Sequence, residues 1–114
     1  VYEAGCRLVL GTDTGNPFIY PGFSVHDELV LMVDCGLTAF DALRTATCNA
    51  AECLEIQDVT GTIEEGKVAD LVLLTENPLR DVSNTRCIDG VMKNGRWFDR
   101  QAISGMLDLI ATGA

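Results

Sequence analysis

Few residues in this chain have the type and spacing of chemistry. Gly11-Thr12-Asp13 follows the apolar run Cys6-Arg7-Leu8-Val9-Leu10, which suits a strand buried on both faces. A carboxylate one or two residues past such a strand stands at its C-terminal end, where α/β architectures gather their ligands and catalytic groups. The structural alternative is an Asx turn or helix cap in a Gly-rich loop. His26 is the single histidine, and Leu29 and Val30 stand one helical turn on, so no second ligand accompanies it. It reads first as a polar residue in the opening turn of a helix.

Lys67 and Asp70 lie in G-K-V-A-D, which lacks the spacing of a phosphate loop. They read as a turn lysine and a strand-entry aspartate bound to local backbone or to a neighbour. Asn16 to Tyr20 read first as a surface loop held by Pro17 and Pro21 and second as the lining of a pocket, and Trp97 and Phe98 read as packing residues after a turn. The five cysteines (Cys6, Cys35, Cys48, Cys53, Cys87) form no C-x-x-C pair and have no histidine neighbour. They read as small buried hydrophobes rather than a disulfide framework, a zinc knuckle or a nucleophile.

The elements that must hold these residues follow from periodicity. Residues 11–22 form a loop rich in Gly, Pro, Asn and Asp. Ser24 with Asp27 has the pattern of a capping box, and the apolar stripe from Leu29 to Val33 stops at Gly36. Thr38 with Asp41 repeats the cap, and Asn49 to Glu52 opens another turn, so residues 24–55 read as two or three helices. From Val59 the period changes. Ala69–Thr75 is an apolar β run, Glu64–Lys67 a turn, and Asn94-Gly95 the hairpin signal between 88–93 and 96–98. Ile103, Met106, Leu107 and Ile110 then predict a closing helix with Asp99 as its cap.

Composition excludes several classes. The 114 residues allow one domain at most and are too few for a complete (β/α)₈ barrel of about 250. The net charge is −9, with eleven acids against two bases in residues 1–66 and six of each sign in 67–114. An acidic surface without a Lys/Arg cluster disfavours nucleic acid and anionic membranes. No signal peptide or membrane-length apolar run is present, which predicts a cytoplasmic protein with a secreted one as second reading.

Taken in order, G-T-D-T-G (11–15), F-S-V-H-D-E-L (23–29), G-L-T-A-F-D-A-L-R-T-A-T-C-N-A-A (36–51), G-T-I-E-E-G-K-V-A-D-L-V-L-L (61–74) and N-P-L-R-D-V (77–82) resemble the C-terminal portion of the metal-dependent amidohydrolases. The nearest flavour is the imidazolonepropionase-like and Xaa-Pro-dipeptidase-like branch. The resemblance implies an α+β chain. Residues 1–58 would be the last strand, loop and helices of a (β/α)₈ barrel, and residues 59–98 the C-terminal strands of a composite β-sandwich. Residues 99–114 would be a closing helix. It implies a divalent metal, commonly zinc, in the complete enzyme, with Asp13 both ligating it and transferring protons as water attacks a C–N bond. His26 has a second reading there, as a substrate contact at the barrel mouth.

The family's other metal ligands have no counterpart here, so this chain alone is expected neither to hold metal tightly nor to hydrolyse anything. The start at Val1 implies a longer reading frame, and the hairpin at 91–96 fits the family's usual close. The implied substrate is a small amide, dipeptide-like or cyclic amide compound. The alternative is a non-catalytic module that self-associates. Open strand edges at 6–10 predict a dimer or higher homo-oligomer in isolation.

Overall fold

The structure, a computed structural model, describes residues 4–113; Val1, Tyr2, Glu3 and Ala114 lie outside the described residues. Three helices come first: α1 (Ser24–Asp34), α2 (Ala39–Thr45) and α3 (Cys48–Cys53). Three strands follow, β1 (Leu71–Leu74), β2 (Ile88–Lys93) and β3 (Arg96–Asp99), with a 3-10 turn at Val82–Arg86 between the first two. Helix α4 (Arg100–Thr112) closes the order.

Local chemistry explains most helix boundaries. α1 ends in two nested bonds, Gly36 N–H to Val33 O at 2.9 Å and Leu37 N–H to Met32 O at 3.1 Å. This is the Schellman arrangement, and it satisfies carbonyls that a helix end would otherwise strand. α2 is capped as predicted: the Asp41 amide donates to Thr38 Oγ1 at 3.1 Å, and that hydroxyl donates to Asp41 Oδ2 at 2.6 Å. Asp99 caps α4 through the Ala102 amide at 2.8 Å.

The start of α1 departs from expectation. Ser24 is the first helical residue, and the N-cap is Phe23, without a side-chain cap bond. The Ser24–Asp27 capping box does not form. Instead Ser24 Oγ accepts from the Tyr20 amide at 2.9 Å, because the turn closed by Phe23 N–H to Tyr20 O already delivers the chain into the helix.

The core sits in the helical half. Leu29, Leu37, Ala42 and Val82 are buried together, with Leu8, Leu10, Met32, Val33, Leu43 and Ala46 packed around them. Burying a leucine such as Leu29 contributes about 2 kcal/mol. The buried Thr45 hydroxyl donates to the Ala42 carbonyl at 2.6 Å, so no polar atom is stranded there.

Residues 6–10 form no strand. They are held instead by Leu10 N–H to Thr45 O at 3.1 Å and by Asn49 Nδ2 to Leu8 O at 3.0 Å, with an ion pair from Arg7 to Glu52. A parallel strand needs a neighbouring ladder, and no other strand lies beside this segment among the described residues. Residues 59–63 likewise stay outside the sheet, and the Val68 amide donates to Val59 O.

The sheet has the order β1-β2-β3 and is antiparallel throughout. Val72 faces Val91, Met92 faces Trp97, and the register slips between Leu73 and Leu74. Asn94 (φ 51°) and Gly95 (φ 77°) form the hairpin turn, both left-handed as a type I′ turn demands. The Trp97 ring lies over Gly90 where a Cβ would stand, so a side chain there would have to displace the ring. Between helices and sheet lies a groove of about 740 Å³, walled by Leu29, Leu43, Leu54, Ile63, Val72 and Ile88 and bordered by His26.

Candidate functional site

Asp13 sits in a segment built from consecutive reverse turns. Asn16 N–H donates to Asp13 O at 3.4 Å, Ile19 N–H to Asn16 O at 3.3 Å, and Phe23 N–H to Tyr20 O at 3.1 Å. In each, the third position has positive φ: Gly15 (120°), Phe18 (68°) and Gly22 (79°). Pro17 and Pro21 occupy the second positions of the last two, as type II turns favour. Phe18 is the exception in chemistry, a bulky residue in left-handed backbone with 88% of its surface exposed. Asp13 itself has φ 52°, a conformation that costs about 1 kcal/mol or more outside glycine.

The Asp13 carboxylate is exposed and has one side-chain partner. Asn16 Nδ2 donates to Asp13 Oδ2 at 2.6 Å and to the Asp13 carbonyl at 3.2 Å. Both are acceptors, so it is the amide nitrogen of Asn16 that faces Asp13. Asp13 Oδ1 makes no hydrogen bond among the described residues. Thr12 Oγ1 and Thr14 Oγ1 lie 3.0 Å apart on either side.

A metal centre is not completed here. No group of three or more His, Cys, Asp or Glu side chains able to hold an ion exists among the described residues. One carboxylate does not fit the three or four protein ligands that a catalytic or structural zinc takes.

His26 and Asp13 make no hydrogen bond to each other; their side-chain partners are Thr85 and Asn16. Its Nδ1 is 2.9 Å from Thr85 Oγ1, and the single Thr85 hydroxyl proton is committed to Val82 O at 2.9 Å. Thr85 therefore accepts, and neutral His26 carries its proton on Nδ1. Burial is the main reason its pKa falls below the usual histidine value; Arg86 adds to the fall and Asp27 opposes it. Beside it Arg86 Nη2 pairs with Asp27 Oδ1. These two contacts tie the first turn of α1 to the 3-10 turn at Val82–Arg86.

The other candidates resolve as structural. Asp70 accepts from the Asn94 amide at 2.7 Å and pairs with Lys93, so it clamps the hairpin turn. Those bonds, the Asn94 amide first, hold its carboxyl below the usual range. Lys67 pairs with Glu64 at 3.2 Å. All five cysteines are free, but none is buried: Cys6, Cys35 and Cys53 are exposed, Cys48 and Cys87 half-buried. The expectation of buried thiols fails: only Cys48 and Cys53 lie within a helix, and Cys6, Cys35 and Cys87 sit in connecting segments at the surface or its edge. Burial, the largest single influence, raises the Cys48 pKa, but the bond from Arg44 Nε at 3.5 Å, the Arg44 charge and the bonds with Thr47 and Asn49 together outweigh it, leaving the thiol below its usual value.

Sequence reasoning missed the part played by Asn16 and by Thr85. The first had a signal, an aspartate and an asparagine three apart around a turn glycine. The second had none, since 59 residues separate Thr85 from His26. No helix among the described residues is long and apolar enough to cross a membrane.

Comparison with known proteins gives the wider frame. Ochratoxinase from Aspergillus niger is 36% identical over 101 residues, covering 84% of this chain and 20% of that protein. Imidazolonepropionase from Deinococcus deserti is 39% identical over 84 residues, 73% of this chain and 21% of its own. A crystal structure of a Xaa-Pro dipeptidase with methionine in its active site superposes with a TM-score of 0.77 at 37% identity, covering 86% of this chain and 23% of that one. The chain thus spans about a fifth of the length of the curated relatives it matches. The profile of the Amidohydrolase family matches residues 1–98, a range that takes in the Asp13 turn, all three early helices and the sheet up to Phe98. This chain belongs to the amidohydrolase family.

Proposed function

We propose that the chain is the C-terminal portion of a hydrolase that cleaves a C–N bond in a small amide, dipeptide-like or cyclic amide substrate. Asp13 is its proton-transfer carboxylate. The observation that carries this reading is the Asp13 turn: a carboxylate in left-handed backbone, exposed, with one oxygen held by Asn16 and the other open. Strained backbone of this kind persists where the surroundings over-determine it, and such residues cluster at active sites. The names of the relatives, a dipeptidase among them, support the bond class.

In this reading Asp13 accepts a proton from the attacking water and returns it to the departing nitrogen, so one group serves both halves of the reaction. The complete protein takes a divalent metal, zinc by the chemistry of the family. The described residues supply one carboxylate towards it, and the chain by itself is inactive. His26 serves as a tether between α1 and the 3-10 turn, since its Nδ1 is spent on Thr85 and its ring borders the groove.

A second reading, a non-catalytic module that self-associates, draws on the open sheet, where Val72 and Leu73 are about half exposed. Incubating the complete protein with dipeptides, N-acyl amino acids and cyclic amides separates the two. Release of free amine supports the hydrolase; no release from any of these classes, with the protein folded and metal-loaded, removes it.

A further inference from the structure

We propose that Asn16 is a positioning residue for Asp13, holding one carboxylate oxygen so that the other is presented to the reacting proton. The inference rests on the reading of Asp13 as the proton-transfer group and adds the device that aims it. Asn16 makes three bonds to the one residue: its backbone N–H and Nδ2 both donate to Asp13 O, at 3.4 and 3.2 Å, and Nδ2 donates to Oδ2 at 2.6 Å. The amide group carries two protons, which suffices for both side-chain bonds at once. A carboxylate oxygen in a short charge-assisted bond is occupied, whereas Oδ1 keeps its lone pairs. The two oxygens of Asp13 therefore differ.

The backbone fixes Asn16 as firmly as Asn16 fixes Asp13. Asn16 closes the turn that begins at Asp13 and opens the turn that ends at Ile19. Pro17 follows it, which biases Asn16 toward extended backbone. A tether built this way holds the aspartate rotamer before substrate arrives, and catalytic groups gain from such preorganisation. An unrestrained aspartate on an exposed turn would sample three staggered χ1 wells instead.

Asn16→Leu is nearly isosteric and has no donor. In the complete protein it is expected to lower kcat roughly 10- to 100-fold, the usual cost of removing an outer partner of a reacting group. KM stays within about threefold, because ground-state binding is untouched. Asn16→Gln, which keeps an amide donor, recovers most of the loss. Combining Asn16→Leu with Asp13→Asn costs no more than Asp13→Asn alone, since one acts through the other.

In the 114-residue chain, an Asn16 side-chain amide proton resonance is expected to move on Asp13→Ala, which reads the contact without turnover. The proposal falls if Asn16→Leu retains kcat within twofold while Asp13→Asn is dead, or if the amide resonance ignores Asp13→Ala. If Asp13→Asn itself keeps turnover, the reading of Asp13 falls first and the role of Asn16 with it, while an unmoved Asp13→Asn loss isolates the fault to Asn16.

Discussion

The helical half and the sheet half are of similar length and differ in what supports them. Residues 24–53 carry most of the core, which Val82 of the 3-10 turn completes; Leu29 there is 4% exposed and Ala42 has no exposed surface. Residues 71–99 form a three-stranded sheet whose apolar side chains stay half in solvent, Val72 at 56% and Trp97 at 46%. The sheet is held by its ladder and by the Asp70 clamp on the hairpin turn, and it faces an open groove rather than a packed layer. The radius of gyration is 15.1 Å, against about 13 Å for a compact domain of this length. Helices can satisfy their backbone within themselves and pack on near neighbours. A sheet face needs a second layer, and this chain supplies only part of one.

The candidate site follows the same division. The Asp13 turn is anchored to the helical half, where Tyr20 and Ser24 join it to α1. The contacts of α1 with Thr85 and Arg86 then fasten that half to the 3-10 turn beside the sheet. The candidate site thus adjoins the better packed region, which the 3-10 turn fastens towards the sheet.

The largest effect that sharpens this comparison is a pair of truncations. Leu29→Ala is expected to lower unfolding stability by about 3 kcal/mol, whereas Val72→Ala costs less than about 1 kcal/mol. Urea denaturation of the two variants checks this, and equal losses would break the distinction. Next is the seam between the halves. Gly61 has φ 98°, and a Cβ on it would stand 2.5 Å from Ala51 Cβ on α3. Gly61→Ala should cost about 2 kcal/mol by combining overpacking with backbone strain. Hydrogen exchange is expected to speed up in α3 with the β2–β3 hairpin unaffected.

The smallest effect is a dependence on pH. The folded pKa of His26 lies below its unfolded value, chiefly through burial. The unfolded chain therefore binds the proton first, and stability falls as pH drops from neutral through that lowered pKa. Thermal melts at successive pH values should show this slope, and His26→Gln should flatten it. The depressed carboxyls of Glu64, Asp70 and Asp81 act in a separate, more acid window, where stability present above the usual carboxylate range is lost as pH falls below it.

What the sequence made legible was local. Thr38 with Asp41, Asp99 before α4, Gly36 after α1 and Asn94-Gly95 each set their structure within four residues, and all appear as read. The misses are long-range or competitive. Ser24 had the right spacing for a cap, but a Pro-Gly turn upstream claimed its hydroxyl. The run 6–10 had the composition of a buried strand, and no ladder stands beside it. The 3-10 turn at Val82–Arg86, too short for a period, holds both Val82 of the core and Thr85 of the His26 tether. Asp13 was legible as a candidate, while its strained backbone and its bond to Asn16 needed coordinates.

The most direct test of the account is the turnover of Asp13→Asn in the complete protein, read beside its melting temperature. The substitution keeps size and shape while removing the carboxylate proposed as the base. The account predicts a fall in kcat of at least about 1,000-fold with a melting temperature unchanged within about 2 °C. Turnover within tenfold of the parent protein would contradict it.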